Sequence, residues 1–235
     1  MKKIYFSGFF FLIVLFSVNC QENFSQKITL GIRGGVTHSK VYYIPKIGAQ
    51  PVYAPGGGFF INYFSQPHVG IQLELNSITH GWKDKTDTTG TYSRVMRYLE
   101  IPLLTHVEIE VKHVVVCLDV GPYISFFQGQ KEKYDPNLRY NIVTDSVVYG
   151  QRNFIGLEPA STFEYGFLAG MGLGVNTKIG QFRIDVRYTN SLTNIFEKYP
   201  TGNFSFSYSQ NVFAGLTYSY AIKLKIKQKR YIIAQ

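Results

Sequence analysis

Three charged residues alternate with apolar residues in one short segment, and they are the clearest candidates for chemistry in this chain. Arg183, Asp185 and Arg187 are separated by single apolar residues. Successive side chains of a β-strand point to opposite faces, so the three charges would share one face. Guanidinium and carboxylate groups on one buried face can form ion pairs or relay protons. The segment Phe182–Tyr188 therefore predicts a strand between an apolar medium and a polar interior.

Further ionisable residues, Glu108 among them, occupy the polar faces of other alternating segments. The predicted lumen charge network consists of Arg33, Glu74, Glu100, Asp119, Glu164, Arg183, Asp185 and Arg187. Ionisable groups inside a membrane need partners. The favoured interpretation is a set of paired charges that fills a barrel too narrow for an aqueous channel. The alternative is a path for protons or small ions. In either case Glu100 is expected to share one network with Arg183 or Arg187.

Histidine and cysteine give little support to catalysis or to metal binding. The five His residues show no ligand spacing and there are only two Cys, so we predict no metal site, no cofactor and no disulfide framework. His38, Ser39 and His80 lie near predicted loop bases, and Asp84 and Asp87 lie in the loop after His80. Their spacing matches no catalytic triad. We therefore predict no catalytic residue.

Eight alternating segments can supply the strands that position the charges. They are Ile28–His38, Gly56–Phe64, Val69–Gly81, Val95–Val111, Val114–Phe126, Phe163–Lys178, Phe182–Leu192 and Ser205–Leu224. A content of 16% aromatic residues with 22 Gly suits an all-β protein with many turns. Pro102 cannot donate to a ladder, so a bulge or kink is expected there. Cys117 is expected to be a small packing residue that faces the lumen.

The connections between these segments alternate between short and long. Tight turns are predicted near 65–68, 110–113 and 179–181, whereas the connections 39–55, 82–94, 127–162 and 193–204 are long. Outer-membrane barrels have short periplasmic turns and longer extracellular loops. The sequence therefore predicts an all-β, eight-stranded antiparallel up-and-down transmembrane β-barrel. It would be a multi-pass protein of the outer membrane with both termini periplasmic.

A soluble barrel, which turns its apolar face inward, also shows alternation. Three features favour the membrane barrel. The polar faces carry Gly, Ser and opposite charges, as a packed narrow lumen would. Aromatic residues such as Tyr218 and Tyr220 lie toward strand ends, where an interfacial girdle is expected. The loops are also unequal in length.

The two ends of the chain differ from the barrel region. Residues 1–20 are predicted to be a signal peptide, residues 21–224 the outer-membrane β-barrel, and residues 225–235 a basic C-terminal tail. Cys20 is either the end of the cleaved signal or an acylated cysteine, although a small residue is expected before a lipidated cysteine and Asn19 stands there. Signal removal lowers the net charge from +9 to +7, and much of the remainder belongs to the tail. The basic composition therefore does not indicate nucleic-acid binding.

The third long connection is the predicted site of recognition. The residues singled out for loop recognition are Lys131, Lys133, Tyr134, Arg139, Tyr140, Tyr149 and Arg152. Tyr and Arg are enriched at binding surfaces. An equally weighted alternative is a solvated hairpin that shields the barrel mouth.

Several motifs resemble the PorT-like outer-membrane β-barrel family of Bacteroidota. The segments that carry the resemblance are Ile32–Val36, Tyr98–Leu104, Gly121–Tyr123, Phe167–Gly174, Arg187-Tyr188 and Leu192–Ile195. These segments are spread over the mature chain. The motif Tyr-Leu-Glu-Ile-Pro within Tyr98–Leu104 is the most specific of them. The resemblance implies an eight-stranded barrel in a Gram-negative envelope, and the family's namesake serves type IX secretion. In many outer-membrane barrels the last strand ends the chain on an aromatic residue. This sequence departs from that pattern, because it continues beyond the last predicted strand to Gln235.

These observations predict a non-enzymatic role in the cell envelope, either structural or through a partner bound at the long extracellular loops. Expected partners are outer-membrane lipid and a protein, with no nucleic acid. Three alternatives stay open: an accessory subunit of type IX-like protein secretion, a lipid-modifying hydrolase of the outer membrane, and a conducting pore.

Overall fold

The computed structural model describes residues 26–44, 49–86, 90–134, 161–195 and 206–223, and the structural statements below concern these residues. Eight strands occupy them: β1 (Lys27–Ile44), β2 (Gln50–Phe64), β3 (Val69–Thr86), β4 (Gly90–Val111), β5 (Val114–Tyr134), β6 (Phe163–Thr177), β7 (Gly180–Ser191) and β8 (Phe206–Lys223). No helix in these ranges is long and apolar enough to cross a membrane. The predicted signal peptide, Cys20 and the basic tail lie outside the described residues.

The strands form a closed barrel in chain order, and each pairs antiparallel with its neighbours. The closing pair is complete, because β1 pairs with β8 from Lys27 opposite Lys223 to Ile44 opposite Phe206. Closure leaves no free sheet edge. The predicted eight-stranded up-and-down barrel is confirmed. We call the end that holds Lys27 and Lys223 the terminal end and the opposite end the loop end.

The two faces of the barrel wall differ, as strand β7 shows. Phe182 and Ile184 point outward and are 43% and 63% exposed, whereas Arg183 and Asp185 point inward and are 3% and 1% exposed. A soluble barrel would bury its apolar face, so the alternative with an inward apolar face is wrong. An apolar band of this size around the outside is stable only against lipid.

Two connections predicted to be long are mostly strand. β1 runs to Ile44 and β2 begins at Gln50, while β3 runs to Thr86 and β4 begins at Gly90. The strands were missed because their outward residues turn polar above the apolar band, so the alternation of apolar and polar residues fades although pairing continues. The height of the barrel wall therefore varies around the barrel, because β4 has 22 residues whereas β7 has 12. These lengths correspond to roughly 70 Å and 40 Å along the strands.

The expected bulge at Pro102 is wrong. Pro102 opposes Tyr123 and Thr105 opposes Val120, so the register between β4 and β5 is continuous there. A shift occurs instead between Arg97 and Tyr98. Proline lacks a backbone N–H donor, which removes one hydrogen bond from the ladder but adds no residue. A bulge needs an extra residue on one strand, and here that residue is Gln128 of β5. The adjacent Gly129 has a φ of 151°, which side chains disfavour.

Candidate functional site

All eight residues of the predicted charge network point into the barrel and are buried. Strand alternation explains their direction, because each occupies one of the alternate positions whose side chains point into the barrel. Six of them form one connected cluster at mid-height, and we call this cluster the central network. Its members are Arg33 on β1, Glu74 on β3, Asp119 on β5, and Arg183, Asp185 and Arg187 on β7.

Arg187 is the bridge of the central network. Its Nη1 lies 2.8 Å from both carboxylate oxygens of Glu74, and its Nη2 lies 2.6 Å from Oδ2 of Asp119. Hydrogen bonds between ionised groups are stronger than neutral ones. A single guanidinium therefore ties β7 to β3 and β5 across the lumen.

Arg33 supplies a second set of contacts from β1. Its Nη1 is 3.0 Å from Oε2 of Glu74, and its Nε is 3.3 Å from Oδ2 of Asp185. Arg183 Nε lies 3.5 Å from the other oxygen of Asp185. The central network thus combines three guanidinium groups with three carboxylates, and their formal charges cancel. Such balance is what makes burial of ions tolerable.

The other two predicted members are placed differently. Glu100 reaches the central network only through Asn76, whose Nδ2 donates to Oε2 of Glu74 at 2.8 Å and to Oε1 of Glu100 at 3.3 Å. Glu164 lies apart from it, with its Oε2 at 3.3 Å from Nδ1 of His80. Two side chains, Asn76 and Glu74, therefore connect Glu100 to Arg187.

Two residues of β4 near the terminal end extend the charged lumen: Glu108, which the alternating pattern already places inward, and His106, which was missed in the sequence. His106 Nδ1 hydrogen-bonds Asp119, and Glu108 accepts from Lys27 Nζ at 3.1 Å and from Gln181 Nε2 at 3.1 Å. His106 shares the inward parity of Glu108 on β4, and this parity was the signal that could have found it. Metal-ligand spacing does not detect His106, because its partner is a carboxylate on another strand.

The lumen changes character toward the loop end. A cluster of buried apolar and aromatic side chains lies there, which we call the aromatic cluster: Val41, Tyr43, Ile78, Trp82, Tyr92, Met96, Tyr98 and Ile195. The rings of Tyr43 and Trp82 meet edge to face at 5.6 Å, and the Arg94 guanidinium lies 5.7 Å from the Trp82 ring. The expectation of a lumen that is polar throughout is therefore wrong at this end, where aromatic side chains pack beside polar ones such as Arg94. Several cluster members had been assigned to predicted loops.

A small, partly open cavity of about 30 Å³ lies within the lumen. It is lined by Arg33, Asn76, Glu100, Arg187 and other inward residues. That volume is enough for about two water molecules. Cys117 is buried in the same lumen, as expected for a packing residue.

The two histidines considered for a rim active site lie on opposite faces of the wall. His38 contacts the exposed Tyr53 ring at 5.0 Å on the outside, whereas His80 is fully buried inside. His80 uses one nitrogen, Nδ1, for both Glu164 and Ser209, each at 3.3 Å. A catalytic triad uses the two ring nitrogens separately. Ser39 is buried and accepts a hydrogen bond from Gly81 N.

The predicted loop-recognition residues are divided. Lys131, Lys133 and Tyr134 belong to β5, so their predicted placement in a loop is wrong. The side chains of Lys131 and Lys133 are exposed on the wall. The remaining residues, Arg139, Tyr140, Tyr149 and Arg152, lie outside the described residues, as do Asp87 and the side chain of Asp84.

A closed eight-stranded barrel with an apolar outer band and a charged interior defines an integral outer-membrane β-barrel protein. The chain belongs to the outer membrane protein beta-barrel domain family, whose model matches residues 19–197. Membership supports a location in the outer membrane. No curated protein sequence matches the chain.

Solved structures with a similar fold are distant in sequence. OprG of Pseudomonas aeruginosa is 14% identical, with 82% of this chain and 95% of that chain covered and a TM-score of 0.45. Ail, the attachment invasion locus protein of Yersinia pestis, is 12% identical, with coverage of 84% and 100% and a TM-score of 0.39. The protease OmpT of Escherichia coli is 8% identical, with coverage of 86% and 100% and a TM-score of 0.36.

Proposed function

We propose that this outer-membrane barrel is a non-enzymatic envelope protein that keeps its lumen closed and binds a protein partner at its loop end. The observation that carries the proposal is the bridge of Arg187 to Glu74 and Asp119 across the lumen. A transport path along the axis would have to break these buried ion pairs, which is costly. The barrel therefore serves as a rigid support for what it presents at its ends.

The orientation is part of the proposal. Both described strand termini, Lys27 and Lys223, lie at one end, and the extended strands and the two longest connections, β5–β6 and β7–β8, lie at the other. Bacterial outer-membrane barrels have short turns on the periplasmic side. This asymmetry supports periplasmic termini and an extracellular loop end.

The non-enzymatic character rests on the chemistry of the lumen. His80 contacts Glu164 and Ser209 through the same nitrogen, and His38 lies on the other side of the wall. This arrangement gives no support to the alternative of a lipid-modifying hydrolase built on these histidines. Comparing outer-membrane lipids from a deletion strain with those of its parent by mass spectrometry tests it; a lipid species that changes in mass would contradict the proposal.

Recognition is proposed for the long segment between β5 and β6. It contains Arg139, Tyr140, Tyr149 and Arg152, the types of residue that anchor protein interfaces. Lys131 and Lys133 belong to a different surface, the outer face of β5. The partner-binding residues are therefore expected beyond the strands rather than on the wall.

Co-purification tests the partner. The tagged full chain is extracted from native outer membrane in mild detergent, beside a variant with Arg139, Tyr140, Tyr149 and Arg152 changed to Ala. A matched control carries Lys112→Gln and Lys178→Gln in the turns at the terminal end. We expect one stoichiometric protein with the parent and the control, and its loss from the Ala variant. Equal recovery with all three proteins would refute recognition by this segment.

The finer family assignment also belongs to the proposal. The motif Tyr98–Leu104 supports a PorT-like protein, because it resembles the central signature of that family. If the chain is an accessory subunit of type IX-like secretion, the co-purified partner will be a component of the export machinery and deletion of the gene will reduce cargo export. Normal export after deletion would remove this alternative.

A further inference from the structure

The outer face of the wall becomes basic above the apolar band. Lys83 on β3, Arg97 on β4, and Lys131 and Lys133 on β5 are all exposed there. We call these four residues the basic wall. Glu132, which lies between the two lysines in sequence, instead points inward and pairs with Arg94 at 3.2 Å. Among the described side chains, no acid shares the outer face of these strand extensions.

The strand register places the four cations close together. Lys83 opposes Ser93 on β4, and Ser93 in turn opposes Lys133 on β5, so the two lysines flank one serine in a single row. Neighbouring strands are about 4.8 Å apart, so the two lysine backbones are about 10 Å apart. Lys131 opposes Val95 in the next row down, and Arg97 opposes Gly129 in the row below that.

The bulge in β5 is the reason that its lysines point outward. Below the bulge the odd-numbered residues of β5, such as Tyr123 and Ser125, are buried in the lumen. Above it the even-numbered Gln130 and Glu132 turn inward to Arg94. One inserted residue reverses the faces of a strand. Lys131 and Lys133 therefore lie outside because Gln128 is inserted beneath them.

The height of the basic wall matches a thick headgroup layer. Leu99 and Phe126 oppose each other at the upper edge of the apolar band. Allowing for strand tilt, Arg97 lies about 5 Å above this edge and the row of Lys83 and Lys133 about 15 Å above it. The polar layer of a phospholipid leaflet is only roughly 5 to 8 Å deep. The cations thus extend beyond the phosphate level of a simple phospholipid.

An open groove borders the upper row. It has a volume of about 530 Å³ and is lined by Pro51, Val52, Tyr53, Lys83, Thr91, Ser93 and Lys133. Tyr53 is 70% exposed and contributes an aromatic ring to the wall beside the lysines. A groove with a tyrosine, hydroxyl groups and two ammonium groups suits a phosphorylated sugar.

We propose that the basic wall binds a glycolipid of the outer leaflet, with its phosphate groups on Lys83, Arg97, Lys131 and Lys133 and its saccharide headgroup in the groove. The proposal rests on charge complementarity between four exposed cations and anionic phosphate groups, beside a groove that can hold a sugar. The inference deepens the proposed function, because it rests on the proposed extracellular position of the loop end. It assigns outer-leaflet lipid, as well as a protein, to that end.

Lipid binding to the mature barrel tests this assignment. Native mass spectrometry in non-ionic detergent measures binding of bisphosphorylated lipid A, of the same lipid after removal of its phosphates, and of phosphatidylglycerol. We expect lipid A to bind the parent barrel on the order of tenfold more tightly than the other two. High salt should weaken this binding, since the contacts are exposed.

Two matched variants locate the site. Lys83→Gln with Lys133→Gln should reduce lipid A binding on the order of 10- to 30-fold. Lys112→Gln with Lys178→Gln, which removes the same charge from the terminal end, should leave it unchanged. Both variants are first checked for folding by the shift in gel mobility on heating. An equal loss in both would show a general charge effect and overturn the proposal.

Other outcomes also decide the matter. Equal binding of phosphatidylglycerol would mean that the wall contacts any anionic lipid, and equal binding of the dephosphorylated lipid would mean that phosphate is not recognised; either result overturns the assignment. Orientation is measured separately, by labelling Lys40→Cys, which lies on β1 near the loop end and outside the basic wall, in intact cells with a membrane-impermeant maleimide. Absence of labelling together with selective lipid A binding in detergent would overturn the proposed orientation and leave the chemical selectivity in place.

Discussion

Arg187 makes contacts with two carboxylates that belong to different strands, Glu74 on β3 and Asp119 on β5. Both carboxylates are almost fully buried, at 2% exposure each. Loss of the guanidinium would leave three carboxylates of the central network with only two arginines. A buried ion pair contributes little relative to an apolar replacement of both partners, but removal of one partner leaves an uncompensated charge.

Replacement of Arg187 therefore tests the central network. We expect Arg187→Met to lower the free energy of unfolding by about 3 to 5 kcal/mol. The measurement is urea unfolding in neutral lipid vesicles, followed by fluorescence of Trp82, the single tryptophan of the chain. Arg97→Met, on the outer face, is the matched control and should change stability by less than about 0.5 kcal/mol. Similar effects of the two substitutions would contradict the network.

A double-mutant cycle tests the contact between Arg187 and Glu74. Arg187→Met combined with Glu74→Gln should lower the free energy of unfolding by less than the sum of the two single effects. The reason is that each single substitution leaves the other side chain without its charged partner, whereas the double substitution does not. The same unfolding assay measures all three variants. Simple additivity would show that the two side chains do not interact in the folded barrel.

Strand β5 shows how one inserted residue controls the outer surface. Gln128 is the additional residue opposite the step from Arg97 to Tyr98. Everything beyond it, including Lys131 and Lys133, is displaced by one position relative to the lower strand. Because side chains alternate with a period of two, this displacement exchanges the inner and outer faces.

Deletion of Gln128 should return the outer lysines to the lumen. In a Cys117→Ala background, Lys131→Cys should react readily with a water-soluble maleimide, and deletion of Gln128 should reduce its labelling rate by at least about tenfold. Lys83→Cys on β3 should react in both backgrounds. Persistent labelling of position 131 after the deletion would mean that the bulge had reformed elsewhere in β5.

Glycines on β6 allow the central network to reach across the lumen. A Cβ at Gly172 would lie 2.6 Å from Cys117 Sγ and would also meet an oxygen of Asp185, whereas a Cβ at Gly34 would meet nothing within 4 Å. We expect Gly172→Ala to destabilise the barrel by about 1 to 3 kcal/mol. Gly34→Ala should be neutral or slightly stabilising. Equal stability of the two variants in urea would show that the lumen is not tightly packed.

At the scale of the whole molecule, two layers close the barrel. The aromatic cluster lies at the loop end, and the central network lies below it. We expect either layer alone to stop hydrated ions, because one fills the lumen with aromatic and apolar side chains and the other holds its charges in pairs. The closed lumen therefore does not depend on a single side chain.

Planar bilayer recordings test closure. We expect no stable conductance steps from the reconstituted protein, nor from Trp82→Ala, since the central network remains intact when the aromatic cluster is opened. A general porin reconstituted in the same way is the positive control. Discrete steps from the unmodified protein would contradict both the filled lumen and the proposed function.

The sequence by itself determined the strands, their order and the direction of most side chains. Alternation with a period of two is a local property, so it can be read wherever one face is apolar, as at Phe182–Tyr188. The same rule failed at the loop end, where the outer face loses its apolar character and the inner face gains an aromatic cluster. The extended strands and the aromatic cluster were therefore missed for the same reason, which is that the contrast between an apolar and a polar face disappears at the loop end.

Only the tertiary structure decided which charges meet. Arg187 is 113 residues from Glu74 and 68 residues from Asp119 in the chain, and nothing local in the sequence pairs them. Their contact depends on barrel closure and on the register of every intervening strand. The outward direction of Lys131 and Lys133 has the same origin, because a single inserted residue reverses the pattern that the sequence alone would predict.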